Sequence, residues 1–250
     1  MIHFFIGLGF FLVLSCASKP YYNSKIEGKK IGVTSEYGQV NSIDEFVTPY
    51  RNHINKDLDN VLAYAPETLD KSKGEWQTTI GNLMADMTVE MGNPVFQARH
   101  KKNIDICILN HGGIRAILPK GNVTTRTAFE IMPFENSLII VALKGAQIKE
   151  MAEYILREKK PHPLNGLKII ADKNSLTIKS LSVNGQPLDE TKTYYVATSD
   201  YLSNGGDKMD FFKKGIQSFE MDYKLRNLMI DYFKKVDTIP VITTERVVLE

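Results

Sequence analysis

Leu138-Ile139-Ile140-Val141-Ala142-Leu143-Lys144-Gly145-Ala146-Gln147-Ile148-Lys149-Glu150-Met151-Ala152-Glu153-Tyr154-Ile155 changes period in its middle. The first six residues are apolar without interruption, the pattern of a strand. Gly145 breaks the run, and Ala146 to Glu158 then carries Ile148, Met151, Ala152 and Ile155 at helical spacing. A strand passing directly into an amphipathic helix puts sheet and helix in one layered domain.

Working outward, the same signals recur on both sides. Lys25 to Ser35 reads as a strand, with Ile31 and Val33 alternating against smaller or polar neighbours. A helix follows, with two starts open: Ser42 as N-cap with Glu45 at the capping-box position, or Thr48 as N-cap before Pro49. Ile54, Leu58, Val61 and Leu62 would form its apolar face. Thr79 to Met91 reads as a helix with Ile80, Leu83, Met84, Met87 and Met91 facing a core. Asp86 among them is either a polar contact to a neighbouring loop or a solvated side chain. Ile104 to Leu109 reads as a strand and Thr125 to Ile131 as a threonine-capped helix.

Downstream, Leu167 to Ala171, Ser175 to Val183 and Tyr194 to Thr198 read as strands, with Asn184-Gly185 as a hairpin turn. A helix is expected over Phe219 to Lys234 and a final strand over Val241 to Val248. Short strands, one hairpin and interspersed helices predict an α+β (mixed α/β) fold, a mixed sheet packed with helices. The expected division is a leader over 1–16, a tether and strand over 17–40, and one domain over 41–250.

The leader is read from Ile2 to Ser15, an apolar run too short to span a bilayer comfortably, ending in Val13-Leu14-Ser15-Cys16. That ending resembles a bacterial lipobox, which implies lipidation of Cys16 and a lipid-anchored location at the cell envelope, periplasm-facing or surface-exposed. Only His3 stands where such leaders carry Lys or Arg, so an ordinary signal peptide or a buried N-terminal helix stays open. The net charge of +2 argues against nucleic acid as a partner, which would need a concentrated basic face. With Cys16 lipidated, Cys107 has no disulfide partner, and the fold must stand on its core.

Three segments carry more polar loop signal than folding requires. Asn110-His111-Gly112-Gly113-Ile114-Arg115 follows a strand and ends in a five-donor guanidinium suited to phosphate or carboxylate. Pro133-Phe134-Glu135-Asn136 displays an aromatic on a loop, and Asp200-Tyr201-Leu202-Ser203-Asn204-Gly205-Gly206-Asp207 runs a strand into a di-glycine turn flanked by carboxylates. Alone, each is equally a turn or a capped helix start. Together they supply two aromatic faces, a cation, amides and a carboxylate, the inventory for a nucleotide.

At these residues, and at Ile80-Gly81-Asn82-Leu83-Met84-Ala85-Asp86, Lys144-Gly145, Asn165-Gly166-Leu167 and Asn204-Gly205-Gly206-Asp207, the chain resembles the C-terminal, substrate-binding domain of 5′-nucleotidases. The resemblance runs from about Val47 to Lys214. It implies that Phe134 and Tyr201 sandwich a base, Tyr201 standing where phenylalanine is usual. It implies that Asp207 binds ribose hydroxyls, Arg115 a phosphate, and Asn110 and Asn136 the nucleoside. Gly112 and Gly113, read from the residues alone, let the loop backbone approach a ligand closely. His111 replaces a usual glycine. The further arginines that the family carries near Lys73 to Thr79 are absent, leaving Lys71 or Lys73 as the nearby cations.

In that family, hydrolysis belongs to a separate metallophosphoesterase domain with two divalent metals on Asp, His and Asn ligands. No D-x-H, G-N-H or H-x-H pattern occurs among the five histidines here, which read as surface or packing residues. The expectation is a chain with no catalytic residues, metal or cofactor of its own, inactive by itself. It would bind nucleoside 5′-phosphates or nucleosides for a separately encoded metallophosphoesterase that holds the metals. The alternative is a non-catalytic envelope lipoprotein that captures nucleosides or nucleotides, or a scaffold.

Overall fold

The computed structural model describes residues 21–38 and 40–250, so the leader pattern and Cys16 lie outside the described residues. The described chain divides into two units, one reaching Thr48 and one running from Pro49 to Glu250. In the first, Lys25 to Thr34 has no regular structure and a single 3-10 turn follows at Ser35–Tyr37. The strand expected over Lys25 to Ser35 does not form. Two alternating apolar residues are too few to pin a strand, and Ile31 and Val33 are exposed.

Helix α1 (Asn41–Leu58) begins ahead of both expected starts: the Ile43 and Asp44 N–H groups bond to the Val40 carbonyl, and Ser42 lies inside the helix rather than at its N-cap. Pro49 lies inside it. No residue of α1 is buried, so Ile54 and Leu58 do not form the apolar face expected of them, while Val61 and Leu62 belong to the following strand.

The second unit continues with β1 (Val61–Ala65), α2 (Thr79–His100), β2 (Ile106–Ile108), β3 (Gly121–Thr124), α3 (Thr125–Ile131), β4 (Ser137–Lys144) and α4 (Gly145–Glu158). Then come β5 (Leu164–Asn165), β6 (Leu167–Ala171), β7 (Ile178–Val183), β8 (Gln186–Pro187), β9 (Thr193–Ser199), the single-turn helix α5 (Asp200–Ser203), β10 (Gln217–Lys224), α6 (Leu225–Lys235) and β11 (Val247–Leu249). The central sheet has the order β10-β4-β9-β2-β5, antiparallel except for the parallel pair β2–β9. A second sheet runs β11-β6-β7-β8, and β1 pairs with β3.

β4 is apolar from Leu138 to Leu143 because the central sheet is covered on both faces. Leu138, Ile140 and Ala142 point into a core with Leu83, Met84 and Met87 of α2 and Leu225, Leu228 and Met229 of α6. Ile139, Val141 and Leu143 point into another, with Ile148, Met151 and Ile155 of α4 and Ile169 and Ala171 of the second sheet. Each buried leucine, isoleucine, valine or methionine among them contributes about 1.5–3 kcal/mol. The hairpin at Asn184-Gly185 forms, with φ of 49° and 78° at the two residues, the left-handed pair of a type I′ turn. α3 is capped by Thr124, whose hydroxyl exchanges hydrogen bonds with Thr127.

Two further elements depart from the sequence expectation. α2 runs on past Met91 through Gly92 and Pro94 to His100. Phe96 is fully buried and packs its ring against His100, Tyr195 and Phe219, so tertiary contacts carry the helix over its breakers. Phe219 to Lys224 is strand rather than helix, because Phe219 and Met221 alternate inward while β10 pairs with β4. The helix begins only at Leu225.

Candidate functional site

Asn110 ends the segment that follows β2, and a 3-10 turn at His111–Gly113 redirects the chain toward Arg115. The Gly113 N–H donates to the Asn110 carbonyl at 3.0 Å, and the Arg115 N–H donates to the Ile131 carbonyl at 2.9 Å. The two glycines differ in purpose. A Cβ on Gly113 would lie 2.7 Å from Asn110 Oδ1, so this glycine lets the Asn110 side chain fold over its own loop. Gly112 is exposed and would meet nothing closer than 3.6 Å.

His162, buried between α4 and β5, supports the loop from beneath. Its Nδ1 accepts the His111 N–H at 3.2 Å, which places the proton of the neutral ring on Nε2. Burial lowers the His162 pKa to about 4 and also depresses that of His111, so both rings are neutral near pH 7. Lys71 Nζ donates to the Ile114 carbonyl at 2.6 Å, and its charge adds to the depression at His111. Of the two lysines in question, Lys71 reaches this loop, one residue from Arg115.

Phe134 sits 40% exposed on the loop between α3 and β4, displayed as its Pro-Phe context predicts. Three residues of the β10–α6 junction hold that loop. Arg226, buried, pairs with Glu135 and donates to the carbonyls of Pro133 and Phe134. Its guanidinium stacks 4.1 Å from the centre of the Phe129 ring. Lys224 Nζ donates to the Glu135 carbonyl and to Ser137 Oγ, and the Leu225 N–H to the Asn136 carbonyl. The Arg226 guanidinium holds the Glu135 carboxyl below the usual carboxylate range.

The third segment is α5 and the turns after it. The Ser199 hydroxyl caps α5 by accepting the Leu202 N–H, which presents Tyr201 with 47% exposure. A Cβ on Gly206 would meet the Tyr201 ring at 2.6 Å, so only glycine lets the ring lie on this turn. Asp207 follows in the left-handed region, at φ 51° and ψ 24°. Its Oδ2 accepts from Asn110 Nδ2 at 2.8 Å and its Oδ1 from the Tyr201 hydroxyl at 2.9 Å, while its carbonyl accepts from the Tyr154 hydroxyl at 2.8 Å.

The structure brings the eight residues expected to bind substrate together. One cavity of about 360 Å³ is lined by Asn110, Gly112, Gly113, Arg115, Phe134, Asn136, Tyr201 and Asp207. Arg115 lies on the aromatic side, its guanidinium 5.8 Å from the Phe134 ring centre and bonded to the Gly112 carbonyl at 3.2 Å. Two aromatic faces, one cation, two amides and one carboxylate thus surround a volume of small-ligand size. Among the described residues no group of three His, Cys, Asp or Glu side chains converges to hold a metal ion, so this donor set does not fit a dimetal centre. Cys107 is buried in the core, where loss of solvation pushes its thiol pKa up.

The family model described as 5′-nucleotidase, C-terminal domain matches residues 60–214, more than half of the chain. The chain belongs to that family. It is 22% identical over 219 residues to Protein UshA of Yersinia enterocolitica, covering 84% of this chain and 38% of that protein. It is 27% identical over 203 residues to the trifunctional nucleotide phosphoesterase protein YfkN of Bacillus subtilis, covering 75% of this chain and 14% of YfkN. The crystal structure of a 5′-nucleotidase precursor from Thermus thermophilus superposes with a TM-score of 0.68 at 23% identity, over 82% of this chain and 42% of that one. The chain therefore spans about two fifths of UshA and of the Thermus protein, and the likeness to the latter shows the shared fold.

The G-N-L-x-x-D segment of this family member serves the fold. Asn82 Nδ2 donates to the carbonyls of Ile242 and Thr244, and Asp86 accepts from Asn165 Nδ2 and from Arg246. Sequence reasoning missed Tyr154, His162 and Arg226, which support the site from outside the cavity. No motif marks them; Arg226 lies beyond the matched region altogether.

Proposed function

We propose that this chain is the nucleotide-recognition part of a split 5′-nucleotidase system, binding nucleoside 5′-phosphates for dephosphorylation in nucleotide catabolism. The observation that carries the reading is one cavity lined by the six residues that the family resemblance assigns to substrate, together with Gly112 and Gly113 of the same loop. Phe134 and Tyr201 take the base, at about 1–3 kcal/mol of stacking. Asp207, Asn110 and Asn136 take the nucleoside, and the Arg115 guanidinium the phosphate. Lys71 stands behind the same loop, where its positive field adds to the attraction for an anion.

Phosphoryl chemistry then falls to a partner metallophosphoesterase chain, whose two divalent metals would activate water and clamp the transferring group. Cys16 carries the lipid that anchors the chain at the bacterial cell envelope, facing the periplasm or the surface. Its lipobox pattern supports this placement. Radiolabelled palmitate should enter the wild-type chain and not the Cys16→Ser variant.

The test of the function is reconstitution. An exported metallophosphoesterase lacking a recognition domain of its own is assayed for metal-dependent phosphate release from AMP, alone and with this chain. Activity that rises with this chain, and falls back with Phe134→Ala, supports the split enzyme. A rate equal to that of the partner alone rejects it. Tight nucleoside binding with no such rise would leave the chain an envelope capture protein.

A further inference from the structure

Asp207 is held far more firmly than an exposed turn residue needs to be. It and Lys208 are consecutive non-glycine residues at positive φ, 51° and 62°, a conformation that L side chains disfavour. Four hydrogen bonds keep it there. The Tyr154 hydroxyl donates to its carbonyl at 2.8 Å and Asn110 Nδ2 to its Oδ2 at 2.8 Å. The other two pass through one atom: the Tyr201 hydroxyl accepts the Asp207 N–H at 3.2 Å and donates to Asp207 Oδ1 at 2.9 Å. One phenol oxygen thus ties the backbone and the carboxylate of the same residue.

We propose that Tyr201 has a second role beside its ring face. Its hydroxyl positions the Asp207 carboxylate for a vicinal diol and so sets a preference for ribonucleotides over 2′-deoxyribonucleotides. The inference rests on the nucleotide reading of the cavity. An ionised carboxylate has about four lone-pair sites. With Asn110 on one oxygen and Tyr201 on the other, one site per oxygen remains, a matched pair for two neighbouring hydroxyls. A phenylalanine at this position would keep the stacking face but leave Oδ1 and the Asp207 N–H without these partners. The carboxylate would then be held by Asn110 on one oxygen only, and each binding event would have to order the other. A 2′-deoxyribose has one of the two hydroxyls and gains less from a pre-set pair.

The experiment compares wild type and Tyr201→Phe by calorimetric titration with AMP, GMP and CMP and their 2′-deoxy counterparts. The wild type should bind the ribonucleotide about tenfold more tightly. Tyr201→Phe should weaken the ribonucleotide about three- to tenfold while leaving the 2′-deoxynucleotide within about twofold, since stacking survives. Equal weakening of both, or an unchanged ratio, overturns the positioning role. Asp207→Asn keeps the size of the side chain and should abolish the same preference, and Tyr201→Phe should then have no further effect in that background. Additive losses would contradict it. A wild type that binds none of the six ligands rejects the nucleotide reading itself. One that binds without distinguishing the sugars rejects only the role of Tyr201.

Discussion

Asp86 Oδ1 lies 2.6 Å from Arg246 Nη2, joining helix α2 to the segment that leads into the last strand. Arg246 is 7% exposed, and its guanidinium also donates to the carbonyls of Asn82 and Leu164. Gln77 Oε1 accepts the N–H groups of Arg246 and Val247. The C-terminal segment is therefore fastened to the start of α2, and β11 continues into the second sheet beside β6. Removing the carboxylate leaves a buried cation without its counter-charge. Asp86→Ala should destabilise the chain by about 3 kcal/mol in urea unfolding. Asp86→Leu with Arg246→Met should recover most of that loss, and no recovery would show that the pair is not the source.

Arg226 does not line the cavity, yet it holds the backbone that presents Phe134. Arg226→Lys keeps the charge but cannot reach Glu135, Pro133 and Phe134 at once. Nucleoside affinity should fall by up to the value of one stacked aromatic, about 1–3 kcal/mol. In a Phe134→Ala background the same substitution should cost affinity little. Independent losses in the two variants would separate Arg226 from the aromatic.

Arg115→Ala should weaken nucleoside 5′-monophosphates by about 1.5–3 kcal/mol, the worth of a hydrogen bond to a charged group. Adenosine, lacking the phosphate, should lose far less. Calorimetry on both ligands reads the difference, and equal losses would remove Arg115 from the phosphate.

His162 gives the fold a pH dependence. Its pKa is lowered by burial to about 4 in the folded chain from an ordinary 6.5. The unfolded chain therefore binds the proton first, and stability falls as pH drops from about 6.5 to about 4, by at most about 3 kcal/mol. His162→Gln can still accept the His111 N–H and does not titrate. Between pH 7 and pH 5 it should lose less stability than the wild type in urea unfolding, and matched losses would refute the assignment.

How much of this was legible in the sequence depends on the range of the interaction. The β4–α4 unit was readable because its period changes from an unbroken apolar run to a helical repeat within adjacent residues. The cavity-lining residues were readable because three loops each carry their own glycine, aromatic or carboxylate signal. α2 beyond Met91 was not, because Phe96 earns its helical place through rings of β9 and β10 that lie far off in sequence. The strand at Phe219 to Lys224 was legible and overlooked: Phe219, Met221 and Tyr223 alternate with Glu220, Asp222 and Lys224 at the period of a strand, and the helix begins only at Leu225. Lys25 to Ser35 shows the opposite error, a local alternation with no partner strand among the described residues. The supports of the site, Tyr154, His162 and Arg226, carry no local pattern, since each acts on backbone distant from it in the chain.

The most direct measurement of the central claim is a calorimetric titration of the purified chain, without any partner, with AMP, GMP, CMP and UMP, alongside Phe134→Ala. The account predicts saturable 1:1 binding of at least one nucleotide to the wild type, weakened about five- to a hundredfold in the variant. No binding of any of the four, or binding that Phe134→Ala leaves unchanged, would contradict it.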